Sequence, residues 1–180
     1  GLEVMVARPT RVYGPGPLTE ANSVTRLIKI FLQYRLCLIL NQGQEIGNYV
    51  YVEDVAEGLQ LIMKNGRSGE DYILGGENVS LNEFYDKLEE VSGRKAIRLK
   101  ISVPLAMTVA RLETAKARWL RFYPFITVSW VRTFLENWAF SHQKAKAELG
   151  YEPRSLREGL RLTCEWLGYL ERRTGLARSS

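Results

Sequence analysis

Cysteine and histidine are scarce in this chain. Cys37 and Cys164 lie far apart in apolar surroundings, and His142 is the only histidine. No Cys-x-x-Cys or Cys/His cluster exists, which argues against structural zinc and gives a metal site or a catalytic triad little support. Such cysteine usage fits a reducing compartment, and a cytoplasmic protein is expected. No secretory leader is expected from this start, because Gly1-Leu2-Glu3 has neither a basic residue nor an apolar core. Long apolar runs are absent too: Leu27 to Leu40 is interrupted by Lys29 and Arg35, so a membrane-spanning helix is rejected.

What is present describes a globular domain of ordinary size. The chain has 180 residues, of which 46% are hydrophobic, enough for a core of its own. Its net charge of +5 is unevenly spread: residues 1–85 carry −3, residues 86–125 carry +5 and residues 126–180 carry +3. The basic residues recur at helical intervals opposite apolar ones, as on a solvated helix face, so nucleic acid is not expected as a partner. Membrane-surface binding through residues 103–125 is a weaker alternative.

Periodicity predicts alternating elements in the first half. Leu2–Ala7 reads as a strand, Ser23–Tyr34 as a helix, Leu36–Leu40 as a buried parallel strand and Tyr49–Val52 as a short strand. Asp54 is expected to cap a helix running through Lys64, with Asn65-Gly66 ending it. Alternation of this kind implies an α/β doubly wound layer. Later, Ser80-Leu81-Asn82-Glu83 and Ser155-Leu156-Arg157-Glu158 have the spacing of capping boxes, and Val103–Phe122 and Val128–Trp138 read as helices separated by Tyr123-Pro124. An aromatic-dense stretch, Trp119, Phe122, Tyr123, Phe125 and Trp130, packs between helices or forms a lid over an apolar substrate. His142 is expected at a helix start and Cys164 in the core.

One segment is too particular for generic turn chemistry. "ARPTRVYGPGPLTE", residues 7–20, leaves a strand through Arg8-Pro9 into a turn rich in glycine and proline. It resembles the Arg-Pro-x-x-Val-Tyr-Gly-Pro-Gly segment of the extended short-chain dehydrogenase/reductases, the NAD(P)-dependent epimerase/dehydratase group. Three further stretches agree in order: "NYVYVEDVAEGL" from Asn48, "GEDYILGGENVSLNEFYDKL" from Gly69 and "SHQKAKAELGYEPRSLREGLRLTCEWL" from Ser141. Within the group the wording is most similar to the branch of dihydroflavonol reductases, hydroxysteroid dehydrogenase-like proteins and hopanoid-associated sugar epimerases.

The resemblance implies a nicotinamide site at the strand exit, with Pro9, Thr10 and Val12 against the nicotinamide end of NAD or NADP. Arg11 stands where many nucleotide-sugar members carry an asparagine facing the substrate; Arg11, Asn22 and Tyr49 are the substrate-side candidates. Those members also place an arginine where this chain has Gly47-Asn48-Tyr49, so the departure favours an apolar or aromatic hydroxy/keto compound over a nucleotide-diphosphate sugar.

The family's reactive parts are not in these residues. No strand-Gly-x-x-Gly-x-x-Gly-helix unit exists, and none of the nine tyrosines has lysine four residues later. Gly66-Arg67-Ser68-Gly69 reads as a loop. In the family both motifs precede the Arg-Pro-x-x-Val-Tyr-Gly segment, so the chain is expected to be the carboxyl-terminal part of a Rossmann-like enzyme, with no catalytic residue of its own. Residues 1–75 would hold the last strands and helices of the dinucleotide layer interleaved with substrate-region segments, 76–175 a mainly helical substrate-binding region, and 176–180 a disordered tail. The expected partners are a small-molecule substrate and the amino-terminal part of the same protein, with a homo-oligomer left open. A non-catalytic interaction module that keeps the fold is the alternative reading.

Overall fold

The computed structural model describes residues 2–18, 22–120 and 126–170, with the side chains of 118–120 left undescribed. The expected tail at 176–180, and the aromatic positions Trp119, Phe122, Tyr123 and Phe125, therefore lie outside the described side chains.

The fold is α/β with parallel strands, and among the described residues its elements form three small sheets. Strand β1 (Val6–Pro9) pairs in parallel with β5 (Asp71–Leu74), Val6 opposite Asp71 and Pro9 opposite Leu74. Strand β2 (Arg11–Tyr13) pairs in parallel with β4 (Ile46–Tyr51), which also pairs antiparallel with β6 (Glu77–Ser80). Strand β3 (Leu36–Leu40) lies parallel to β7 (Ile97–Ile101). The helices are α1 (Ser23–Tyr34), α2 (Val52–Asn65), α3 (Leu81–Ser92), α4 (Val103–Leu120), α5 (Val128–Leu135), α6 (Gln143–Leu149) and α7 (Leu156–Trp166).

Local sequence explains several boundaries. Helix α1 buries Val24, Leu27, Ile28, Phe31 and Leu32 at the expected spacing. At α3 the capping box is complete: Glu83 N–H donates to Ser80 Oγ at 3.2 Å, and Ser80 N–H donates to Glu83 Oε2 at 2.7 Å. Ser155 likewise accepts from Glu158 N–H at 3.3 Å, while the Glu158 carboxylate holds Arg161 at 2.7 and 2.9 Å. Residues 66–69 form a loop, and Cys164 is fully buried.

Other boundaries differ from the sequence reading. The first strand is Val6–Pro9 rather than Leu2–Ala7; Pro9 ends it without breaking the ladder, because the next N–H, that of Thr10, donates to Leu74 O at 3.3 Å. The strand expected at Tyr49–Val52 spans Ile46–Tyr51 and runs directly into α2, so Tyr51 and not Asp54 takes the cap position. Asp54, almost fully buried, instead accepts from Arg154 N–H at 3.0 Å and lies 3.4 Å from the Arg154 guanidinium. Helix α5 stops at Leu135 instead of continuing to Trp138. There the Asn137 side chain accepts from Ile46 N–H and Trp138 N–H donates to Ile46 O, both at 2.8 Å, so this segment pairs with the start of β4. Strands β5, β6 and β7 had no counterpart in the sequence reading.

Two apolar clusters result. The larger joins β2, β3, β4 and β6 to helices α1, α3, α4, α5 and α7 around Phe84; the smaller joins Val50, Val55, Ile62, Tyr72, Leu74, Leu149 and Tyr151.

Candidate functional site

At Thr10 the chain steps from one sheet to the next. Pro9 closes β1 and Arg11 opens β2, so the four residues Pro9 to Val12 lie at the carboxyl end of a parallel strand, where open α/β sheets leave a crevice. The step is held from below by Asn48, which is fully buried. Its Oδ1 accepts from the Thr10 hydroxyl at 2.7 Å and from Gly76 N–H at 2.8 Å, while its Nδ2 donates to Gly76 O at 3.1 Å and Asn78 Oδ1 at 2.8 Å. A buried amide with this many partners fixes the local backbone, because any lost partner would leave a polar group unpaired.

The turn that follows is fixed from α1. Gly14 has φ +125°, and a Cβ there would meet the Tyr51 ring at 2.8 Å, so glycine is required. Gly14 N–H donates to Thr25 Oγ1 at 2.9 Å, and Asn22 Nδ2 donates to the Gly14 and Pro17 carbonyls, each at 3.4 Å.

Two clefts open on either side of Arg11. One, of about 430 Å³, is walled by Pro9, Thr10, Val12, Ser23, Trp130 and Thr133; the other, of about 260 Å³, by Pro9, Thr10, Asn48, Thr133, Trp138 and Phe140. The Arg11 guanidinium rests 4.4 Å from the centre of the Phe134 ring. Nη2 donates to Thr133 O at 2.7 Å and Nη1 to Tyr49 Oη at 3.3 Å. Gly47 makes room for it, since a Cβ at that position would come within 2.3 Å of Nη1.

The structure thus brings Pro9, Thr10, Arg11 and Val12 to one crevice, and leaves two substrate-side candidates out of its walls. Asn22 is turned onto the Gly14–Pro17 turn, and Tyr49 is buried beneath Arg11, touching the clefts only through that guanidinium. Sequence reasoning missed Asn48, Thr133 and Phe134. Asn48 had one available signal, a polar residue inside an otherwise apolar strand; Thr133 acts through its backbone carbonyl and Phe134 through its ring face, which carry none.

The titrating groups nearby are not set up as acids. Burial pushes the phenols of Tyr13, Tyr85 and Tyr151 upward and that of Tyr51 up to about 12; Tyr49 is also raised by burial, although Arg11 opposes the shift. A phenol that donates a proton near neutral pH needs the opposite displacement. Among the described residues, no group of three or more His, Cys, Asp or Glu side chains could hold a metal ion, and no helix is long and apolar enough to cross a membrane.

Residues 1–75, which include the crevice and the Asn48 hub, match the NAD dependent epimerase/dehydratase family. The chain is 28% identical over 188 aligned positions to the 3beta-hydroxysteroid-dehydrogenase/decarboxylase isoform 1 of Arabidopsis thaliana, covering 95% of this chain and 42% of that protein. To the UDP-glucuronate 4-epimerase of Thermodesulfobacterium geofontis it is 27% identical, covering 92% of this chain and 43% of that one. The crystal structure of the UDP-glucose 4-epimerase of Thermotoga maritima superposes with a TM-score of 0.68 at 27% identity, over 93% of this chain and 46% of that chain. The fold is accordingly Rossmann-like, and the chain spans less than half the length of each of these three relatives.

The crevice can be tested against the family's cofactor. A flat neutral ring fits a wall of Pro9, Val12 and Val24 edged by the Thr10, Ser23 and Ser129 hydroxyls, with no carboxylate among its lining residues. A diphosphate is poorly served, because Arg11 is the only cation among the lining residues of that wall. The residues present suit the nicotinamide end of the cofactor alone.

Proposed function

We propose that this chain supplies the substrate-side wall of an NAD(P)-dependent oxidoreductase or epimerase acting on a small hydroxy/keto compound of dihydroflavonol-, sterol- or sugar-like type. Its partners are that substrate and the half of the enzyme that binds the diphosphate and donates the proton. The observation that carries this reading is the convergence of Pro9, Thr10 and Val12 on a crevice at a parallel strand's end, held by a buried asparagine. The cofactor, when bound, supplies hydride chemistry. The chain's own residues would position its nicotinamide end through Pro9, Thr10 and Val12 and shield it from water with Trp130 of α5.

Ligand-observed NMR with NADP+ and with nicotinamide mononucleotide tests this. The expected result is weak binding, with Kd of about 1 mM, in which the nicotinamide protons broaden and the adenine protons do not. Thr10→Val should reduce that broadening. Micromolar NADP+ binding, turnover by this chain alone, or broadening confined to adenine would overturn the proposal.

A further inference from the structure

Beyond the two clefts lies a third cavity of about 270 Å³ on the β3–β7 sheet, floored by Leu38, Leu40 and Leu99 and roofed by Leu105, Ala106 and Val109 of α4. Its wall is apolar almost throughout. Arg26 is the cation in that wall and is itself partnered. Ser23 and Trp130 are walls of both this groove and the cleft that contains Arg11, so the two adjoin.

Arg11 presents the opposite chemistry. Among the described residues no carboxylate pairs with it, although its guanidinium is half-buried against Phe134 and Tyr49. A guanidinium carries five N–H donors. Nη1 and Nη2 each have one bond, Nε is buried without a partner, and the second N–H of each terminal nitrogen remains. A charge taken partly out of water without a counter-ion is costly, and a ligand that brings an anion relieves the cost. Phe134, Gly47 and Thr133 hold the guanidinium in one place before the ligand arrives, which saves ordering entropy on binding.

We propose that the ligand of this site is an amphipathic carboxylate: a rigid apolar body in the β3–β7 groove, with its anionic group at Arg11. A nucleotide-diphosphate sugar is disfavoured, because its base and ribose would meet a groove wall that is mostly aliphatic, with Ser23 and the already partnered Arg26 as its polar side chains apart from the Trp130 indole. The inference rests on the crevice at Pro9–Val12 being the reaction site, since that is where a carboxylate at Arg11 would place the neighbouring carbon atoms.

Isothermal titration of the 180-residue chain, without cofactor, tests it with lithocholate, lithocholate methyl ester and UDP-glucose as probes. The acid is expected to bind about tenfold tighter than the ester, the gain from one charge-assisted contact. Arg11→Gln should bring that ratio close to one, a change that a merely structural role for Arg11 would not produce. The double variant Leu99→Asn, Val109→Asn alters two partly exposed wall positions and should weaken acid and ester alike by about tenfold, leaving the ratio intact. The proposal is overturned by equal binding of acid and ester, by a ratio that survives Arg11→Gln, by failure of either probe to bind, or by UDP-glucose displacing the acid. Acid binding together with a failed nicotinamide test would keep this ligand site and remove the reaction; the reverse pair of results would remove only the ligand class.

Discussion

The two faces of β4 build unlike cores. Tyr49 and Tyr51 point into the larger cluster, where Phe84 lies 4.7 Å from the Tyr49 ring and 6.5 Å from that of Tyr13, all three fully or almost fully buried. Between them, Val50 points the other way, into a thinner cluster shared by β1, β5, α2 and α6. Around that second cluster Val4, Val6, Leu59 and Met63 remain exposed, Met63 at 81%. At β4, one strand therefore separates a face packed by interlocking aromatic rings from a face backed by a smaller cluster. Stability of the chain by itself should reside on the aromatic side, and the aliphatic side should tolerate change at its margin.

Phe84→Ala gives the largest expected effect. It removes a ring at the centre of the larger cluster and should cost about 3–5 kcal/mol in chemical denaturation; a loss below about 1 kcal/mol would erase the contrast between the faces.

A smaller effect is expected where His142 meets the thin cluster. Its ring sits edge-on to Tyr151 at 5.8 Å, and burial, with Lys146 nearby, lowers its pKa from the ordinary 6.5. Because the folded value is the lower one, the neutral ring's contribution is fully present above pH 6.5 and is lost as pH falls through the folded value. Thermal melts between pH 7.5 and 5 should show this decline, and His142→Phe should flatten it; an unchanged slope in the variant would assign the decline to other groups.

The smallest effect belongs to the exposed margin. Met63→Lys should leave stability within about 0.5 kcal/mol, as surface substitutions do. A larger loss would show that this side is covered after all.

The helix of residues 23–34, the buried strand of 36–40 and the Ser80 capping box were legible because each is a local pattern, an apolar period or a side chain reaching its own backbone three residues away. Strand β7 was missed although its alternation is written in the chain: Ile97, Leu99 and Ile101 alternate with Arg98 and Lys100, over a run of only five residues. The end of α5 was misjudged for a different reason. Nothing within residues 128–138 announces that Asn137 and Trp138 bond to Ile46, some ninety residues earlier. At the site, the motif from Arg8 to Tyr13 was visible as a sequence, and its meeting with Asn48, Thr133 and Phe134 was not.

The sequence has no cation at Gly47 itself. The guanidinium of Arg11, from the neighbouring strand, fills the room that a side chain at 47 would take. Register pairing of β2 with β4 sets that meeting, and register belongs to the folded sheet.

By itself the sequence determined the α/β alternation, the helix starts at Ser80 and Ser155 and the strand-exit motif, because hydrophobic period, caps and glycine or proline turns act over a few residues. Only the tertiary structure decided that Arg11 stands between two clefts with no carboxylate paired to it among the described residues and that an apolar groove adjoins them. Those facts depend on which distant segments pack together, and burial and charge pairing are fixed by that packing.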